Sequence, residues 1–191
     1  MATLELTHTP ILNSSAQILV LPVNTAGILL DPVLMRTKTL FPDNHQRYYR
    51  ACRDNSLKVG SCLLHKRTLE HAGLGISSNG NQPSYIANLV TSDHPYHPTR
   101  ARWLNASLID LQQQLMPLIR YQGIRRVALL ARPLISYHTP QADATDALDS
   151  SNSVPLDWHA DTLPLLTRQL QDLPKLRIDI HLPNSISSYT H

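Results

Sequence analysis

Cysteine occurs twice in the 191 residues, at Cys52 and Cys62, glycine six times and phenylalanine once. Two cysteines are too few for a disulfide scaffold, so both are expected as reduced thiols in a cytoplasmic protein. No run of about 18 apolar residues occurs, and the N-terminus lacks a basic stretch followed by an apolar one, so neither a membrane span nor a secretion signal is expected. Charge of one sign is also scarce: 17 Lys and Arg stand against 14 Asp and Glu, a formal net charge of +3. That surplus is compatible with a phosphate-bearing ligand or a nucleic acid and argues for neither. Hydrophobic residues make up 42% of the chain, enough for one full core, and a single domain over residues 1–191 is expected.

The chain is organised around Ile18 to Asp43. Ile18 to Val23 is a nearly unbroken apolar run, which predicts a strand buried on both faces. Asn24, Thr25, Ala26 and Gly27 follow it, and a polar amide beside a flexible glycine at such a strand end is where open α/β sheets hold their ligands. A possible edge strand near Leu4 to Leu6 precedes this block. After it the pattern predicts a short helix over Val33 to Thr39 and a second one capped by Asp43 and running through Cys52. Ser61 to Arg67 and Tyr85 to Val90 read as strands, with Glu70 to Ser84 an exposed loop between them. Ala101, Leu104, Leu108, Leu111, Leu115 and Leu118 recur every three or four positions and predict a helix over Thr99 to Tyr121, stopped by Gly123. Val127 to Ala131 is a short central strand. Arg132 to Pro155 is a long polar insertion, and a helix over His159 to Leu173, a strand over Leu176 to Leu182 and a frayed tail at 184–191 complete the chain. This alternation predicts a three-layer α/β/α sandwich.

Several side chains carry chemistry in more than one way. Asn24 can hold a ribose hydroxyl or tie its own turn, and Gly27 can serve a left-handed backbone position or a phosphate contact. Asp93, His94 and His97, with His65 or His138, invite a metal reading, but no second ligand motif of known spacing supports one, and no metal is expected. Arg100, Arg102, Arg125, Arg126 and Arg132 can form a phosphate-binding face. Arg132, just after the central strand, is the one best placed to offer a guanidinium fork. Trp103 can stack on a base or belong to the core or an interface. Glu70 and Asp157 are the acids to consider as general bases, and neither shows a partner in the sequence.

The order of these blocks resembles a macrodomain, and within that family the bacterial antitoxin branch that removes ADP-ribose from DNA. The resemblance rests on Pro22-Val23-Asn24-Thr25, Gly27, Phe41-Pro42-Asp43, Tyr48 or Tyr49, Cys52 and Lys58-Val59-Gly60. It continues through Tyr85-Ile86-Ala87-Asn88, Thr91, His94 and Pro98 to Leu156-Asp157-Trp158, over roughly residues 10–183. The resemblance implies a macrodomain-like fold with a mixed central sheet, an ADP-ribose-like ligand, and Asn24 as the ribose-side asparagine.

The same comparison marks departures. Leu30 and Pro32 stand where the family has two glycines whose N–H groups approach the ligand, and Asp31 stands where it has a lysine; proline has no N–H and an aspartate repels a diphosphate. Ala131-Arg132-Pro133 replaces a second glycine-rich loop. Ser92 falls where the DNA-directed branch has its catalytic lysine, and Pro10 where the family commonly has the acid that holds adenine. The expectation is a divergent macrodomain that binds ADP-ribose or a related nucleotide through Asn24, Thr25, Gly27 and Arg132, with weak or no ADP-ribosyl hydrolase activity and no cofactor. Asn24 is the retained member of the catalytic set, and an ADP-ribosylated nucleic acid or a protein is the possible partner. The alternative is a non-catalytic interaction protein in which Leu30, Pro32 and Leu34 fill the inherited cleft and the altered loops bind a macromolecule.

Overall fold

The computed structural model describes residues 1–68, 83–136 and 155–186. The expected loop at 70–84 and the insertion at 132–155 therefore lie largely outside the described residues, as does most of the tail. Six strands form one sheet: β1 (Thr3–Thr7), β2 (Ile18–Asn24), β3 (Cys62–Lys66), β4 (Tyr85–Ser92), β5 (Arg126–Leu130) and β6 (Arg177–His181), in the order β1-β6-β5-β2-β4-β3. All neighbours run parallel except β3 and β4. Four helices, α1 (Pro32–Leu40), α2 (Pro42–Arg53), α3 (Ala101–Tyr121) and α4 (Leu163–Leu170), cover it. The sheet is thus mixed, as the family resemblance implies, and helices cover it as the alternation predicts. Among the described residues no helix is long and apolar enough to cross a membrane.

The period of two in β2 explains the layers. Ile18 and Val20 point into one core with Leu104, Leu108, Leu111 and Leu115 of α3 and Leu166 and Leu170 of α4. Leu19 and Leu21 point into a second core with Leu34 of α1 and Phe41, and Val23 meets Tyr48 of α2. Two covered faces account for the continuous apolar run that the sequence shows there. β2 pairs with β4 over its whole length but with β5 only from Ile18 to Val20. Its last residues project beyond β5, and Pro22 sits in this stretch, where one flank of the strand asks for no ladder donor. Pro117 is likewise accommodated inside α3 because it lies on the exposed side. Gly123, with φ of +67°, ends α3 as a left-handed C-terminal residue.

Two expectations are corrected. The last helix begins not with a regular turn at His159 but with a π-helical turn, Trp158–Thr162, capped by Asp157, which accepts from the Ala160 N–H at 2.7 Å. Asp43 does not cap α2, whose N-cap is Phe41 with no side-chain hydrogen bond. Its carboxylate instead turns to β3, where Oδ2 meets His65 Nε2 at 2.9 Å and Oδ1 accepts from Arg67 Nη2 at 3.3 Å. Arg67, with a side chain 2% exposed, also lies over the Phe41 ring at 4.7 Å. A buried guanidinium demands a carboxylate more strongly than a helix terminus demands a cap. From the other face α3 closes the β3 edge: Asp110 accepts from the Cys62 N–H and Gln114 donates to the Cys62 carbonyl, both at 2.7 Å.

Candidate functional site

The turn after β2 is built by Asn24 from two directions. Its side-chain amide donates to the Ile28 carbonyl at 2.7 Å and accepts from the Ile28 N–H at 3.4 Å, so the self-tying arrangement is the one present. Its backbone carbonyl accepts from the Tyr48 hydroxyl at 2.6 Å, with Cys52 Sγ at 3.8 Å. Burial pushes the Tyr48 phenol well above its ordinary value, and burial raises the Cys52 thiol too; both remain protonated donors at neutral pH. Thr25 ties the same turn to β4, its N–H donating to the Ser92 carbonyl and its hydroxyl to the Asp93 carbonyl. Gly27 has φ of +74°, and a Cβ there would meet Cys52 Cβ and the Tyr49 ring at 3.4 Å. Gly27→Ala is therefore expected to cost about 1–2 kcal/mol of stability through the left-handed backbone, measured by urea denaturation.

Asn24 and Ile28 of this turn line a cleft of about 140 Å³ at the C-terminal ends of β2 and β4. Asn24, Ile28, Leu30, Asp31 and Leu34 form one side, and Thr91, Ser92, His94, Pro95 and His97 the other. Leu34 is buried beneath it, whereas Leu30 is 48% exposed and Pro32 lies exposed on the first turn of α1. The three therefore do not act together as a plug. Ser92 organises the opposite wall, donating to the His94 carbonyl at 2.7 Å and accepting from the His94 N–H. His97 Nδ1 meets Asp93 Oδ1 at 3.0 Å. Slight burial raises the Asp93 carboxyl, but the bond and charge of His97 and the charge of Arg100 outweigh it and hold that carboxyl below the usual range.

Asp31 is the residue whose role differs most from its sequence reading. Its carboxylate caps α1, accepting from the Val33 and Leu34 N–H groups at 2.8 and 3.3 Å, and pairs with Arg132 Nε at 3.1 Å. The side chain expected to repel a diphosphate thus holds the side chain expected to bind one. Arg132 borders a second cavity of about 260 Å³ that includes Pro10, Ile11, Leu130, His181 and Leu182. His181 Nδ1 donates to the Thr9 carbonyl at 2.7 Å. That bond fixes the tautomer, and Nε2 is left a buried acceptor without a partner among the described residues. Burial holds this imidazole below its ordinary value, so it is neutral at pH 7.

The structure brings Asn24, Thr25 and Gly27 into one turn, with Arg132 joined to it through Asp31. Glu70 and His138 lie outside the described residues. Asp157 serves as a helix cap, and Trp103 is flanked by Arg100 and Arg102 at 4.5 and 5.7 Å from its ring. Among the described residues no three His, Cys, Asp or Glu side chains are grouped to hold a metal ion. No local sequence pattern joins His181 to the stretch Pro10 to Leu12, because the parallel pairing of β1 with β6 is what brings them together.

No family model matches the sequence. A DNA ADP-ribosyl glycohydrolase of Thermus aquaticus is 30% identical over 119 residues, 62% of this chain and 29% of that protein, so the chain spans less than a third of the length of this curated relative. Among solved structures, the macrodomain of Thermus aquaticus DarG superposes with a TM-score of 0.69 at 23% identity, covering 96% of this chain and 100% of that one. The macrodomain of Mycobacterium tuberculosis DarG gives 0.68 at 22% identity, with coverages of 96% and 100%. Thermosipho africanus DarTG in complex with ADP-ribose gives 0.67 at 21% identity, covering 96% of this chain and 42% of that one.

Proposed function

We propose that this chain, which has the macrodomain fold and is similar to DarG macrodomains, binds ADP-ribose or a related nucleotide and turns over ADP-ribosylated targets weakly or not at all. The observation that carries this reading is the pair of cavities on either side of the Asp31–Arg132 ion pair. The cleft at Asn24 offers a ribose the second N–H of the side-chain amide, the other being given to the Ile28 carbonyl, while Thr25 and Gly27 shape the turn that holds it. The second cavity offers apolar walls to a base, with His181 in its lining, whose buried Nε2 is an acceptor without a partner among the described residues. Arg132 stands between them with a guanidinium able to meet phosphate oxygens in two places. Each cavity alone is smaller than the roughly 300 Å³ at which ligand pockets begin, so a dinucleotide-sized ligand requires both.

Weak turnover follows from the cleft wall. Ser92, at the position of the branch's catalytic lysine, is engaged with the His94 backbone, and a neutral hydroxyl so held supplies neither the charge nor the proton transfer of an ammonium. Isothermal titration with ADP-ribose tests the proposal. The expected result is a micromolar Kd, about −8 kcal/mol, weakened roughly tenfold by Asn24→Ala through the loss of a ribose-side hydrogen bond. An absence of both heat and thermal shift at millimolar ligand overturns it in favour of the interaction-protein alternative. That alternative draws on the small volume of the first cleft, about 140 Å³.

A further inference from the structure

We infer that His97, oriented by Asp93, is the general base for the weak turnover that the cleft retains. This rests on the proposed function for the ligand and goes beyond it in naming the group that takes the proton. Asp93 Oδ1 lies 3.0 Å from His97 Nδ1. An ionised carboxylate only accepts, so Nδ1 carries the proton of the neutral ring and Nε2 keeps the lone pair. Nε2 has no partner among the described residues, and His97 lines the cleft across from Asn24. A base whose far nitrogen is held by an acid is the arrangement that proton abstraction from water asks for. Ser92, engaged with backbone, leaves that task open.

The two side chains are 59% and 46% exposed, yet the loop that carries them is fastened at several points. The Asp93 carbonyl accepts from the Thr25 hydroxyl at 3.3 Å, which joins the dyad to the turn that Asn24 ties. The Ser92 hydroxyl, bonded to the His94 carbonyl, also reaches the His97 carbonyl at 3.2 Å. His97 in turn donates its N–H to the His94 carbonyl at 3.1 Å, and the two imidazole rings lie 5.0 Å apart. Ser92, at the position of the branch's lysine, therefore holds the backbone of the residue that takes over the proton transfer. The charged and titratable groups about His97 are Asp93 and His94 on its own loop, Arg100 at the start of α3, whose charge acts on Asp93, and Asp31 across the cleft. Since the Asp93 carboxyl is held below its usual range, it stays ionised at neutral pH and keeps its partner in the required tautomer. In the step itself a water oxygen attacks the anomeric carbon of the target-linked ribose. The bond from that carbon to the target atom breaks and its electron pair stays with the target. His97 Nε2 takes the proton from the water and passes it to the departing atom, so the imidazole ends as it began.

A DNA strand carrying ADP-ribose on one base, mixed with an excess of the full chain, tests this through the single-turnover release of free ADP-ribose. His97→Gln is expected to slow release about 100-fold, the lower end for a lost general base, and to leave the Kd for ADP-ribose within about twofold. Asp93→Asn is expected to slow it by about tenfold or more, because an amide can donate to Nδ1 and hold the wrong tautomer. The wild-type rate should rise with pH as the imidazole gives up its proton, and His97→Gln should flatten that rise. Thermal melts verify that both variants fold. Release that is unchanged in His97→Gln, or that keeps the same pH dependence in it, overturns the inference. A wild type that binds ADP-ribose but releases none at any pH sinks this inference alone. Failure of the proposed function shows differently, as a wild type that does not bind ADP-ribose, and the dyad then falls with it.

Discussion

Asp43→Ala is expected to lower the unfolding free energy by about 3 kcal/mol, because it strips the carboxylate from a guanidinium buried at the sheet edge. The Arg67 side chain is 2% exposed, and water cannot replace what Asp43 supplies without opening the edge of the sheet. His65 loses its 2.9 Å partner in the same step, and its other ring nitrogen is already buried without a partner among the described residues. For a domain of this size the cost corresponds to a melting temperature lower by about 6–12 °C, read by differential scanning calorimetry. Asp43→Asn keeps an acceptor oxygen and the side-chain volume, and is expected to lose less. Equal losses in the two variants would show that shape and not charge holds the cluster.

The same cluster sets an acid limit. Partial burial raises the Asp43 carboxyl, but the hydrogen bonds from His65 and Arg67 and the Arg67 charge outweigh it and leave the carboxyl below its ordinary value. The folded state therefore binds this proton less readily than the unfolded chain. The contribution to stability is complete above the unfolded carboxylate value of about 3.9 and is lost as pH falls through the lower folded value. Stability of the wild type is expected to fall across that acid window, and Asp43→Asn to flatten the fall. A denaturation series at decreasing pH that gives parallel curves for the two proteins would remove Asp43 from the account.

What could be read from the sequence is what depends on local pattern. Ile18 to Val23 reads as a central strand because both its faces are covered, and Thr99 to Tyr121 reads as a helix because one face meets a core; both signals lie in consecutive residues. Asn24 and Gly27 are visible for a similar reason, as a polar amide and a permissive residue at the end of an apolar run. Asp43 is misread because Asp just inside a helix start is a local capping signal, while the partners that outcompete the cap lie on β3. The pairing of Asp31 with Arg132 is invisible to local pattern for the same physical reason. It exists because β2 and β5 are neighbours in the sheet, so that the loops leaving their C-terminal ends meet. The second cavity depends on a pairing between the first and last strands, which no window of sequence contains.

That ion pair gives the proposed ligand site its sharpest test. Asp31→Asn is expected to bind ADP-ribose about tenfold more tightly, roughly 1.4 kcal/mol. Asparagine caps a helix as well as aspartate does, so the Val33 and Leu34 N–H groups keep an acceptor and α1 is expected to stay in place. What disappears is a negative charge 3.1 Å from the Arg132 guanidinium. A diphosphate then meets an unclaimed fork and no opposing carboxylate. The pair itself contributes little to folding, because Arg132 is 45% exposed and exposed pairs are worth about 0–1 kcal/mol, so wild-type and variant melting temperatures should nearly coincide. Arg132→Ala is expected to weaken binding by about 10- to 100-fold, the range for losing hydrogen bonds to a charged group. In the double variant the gain from Asp31→Asn should shrink to the smaller part that comes from repulsion alone, and both parts should diminish as salt screens them. If Asp31→Asn leaves the Kd unchanged or weakens it while α1 remains intact, Arg132 is not the phosphate donor. The diphosphate would then have to be held without its help.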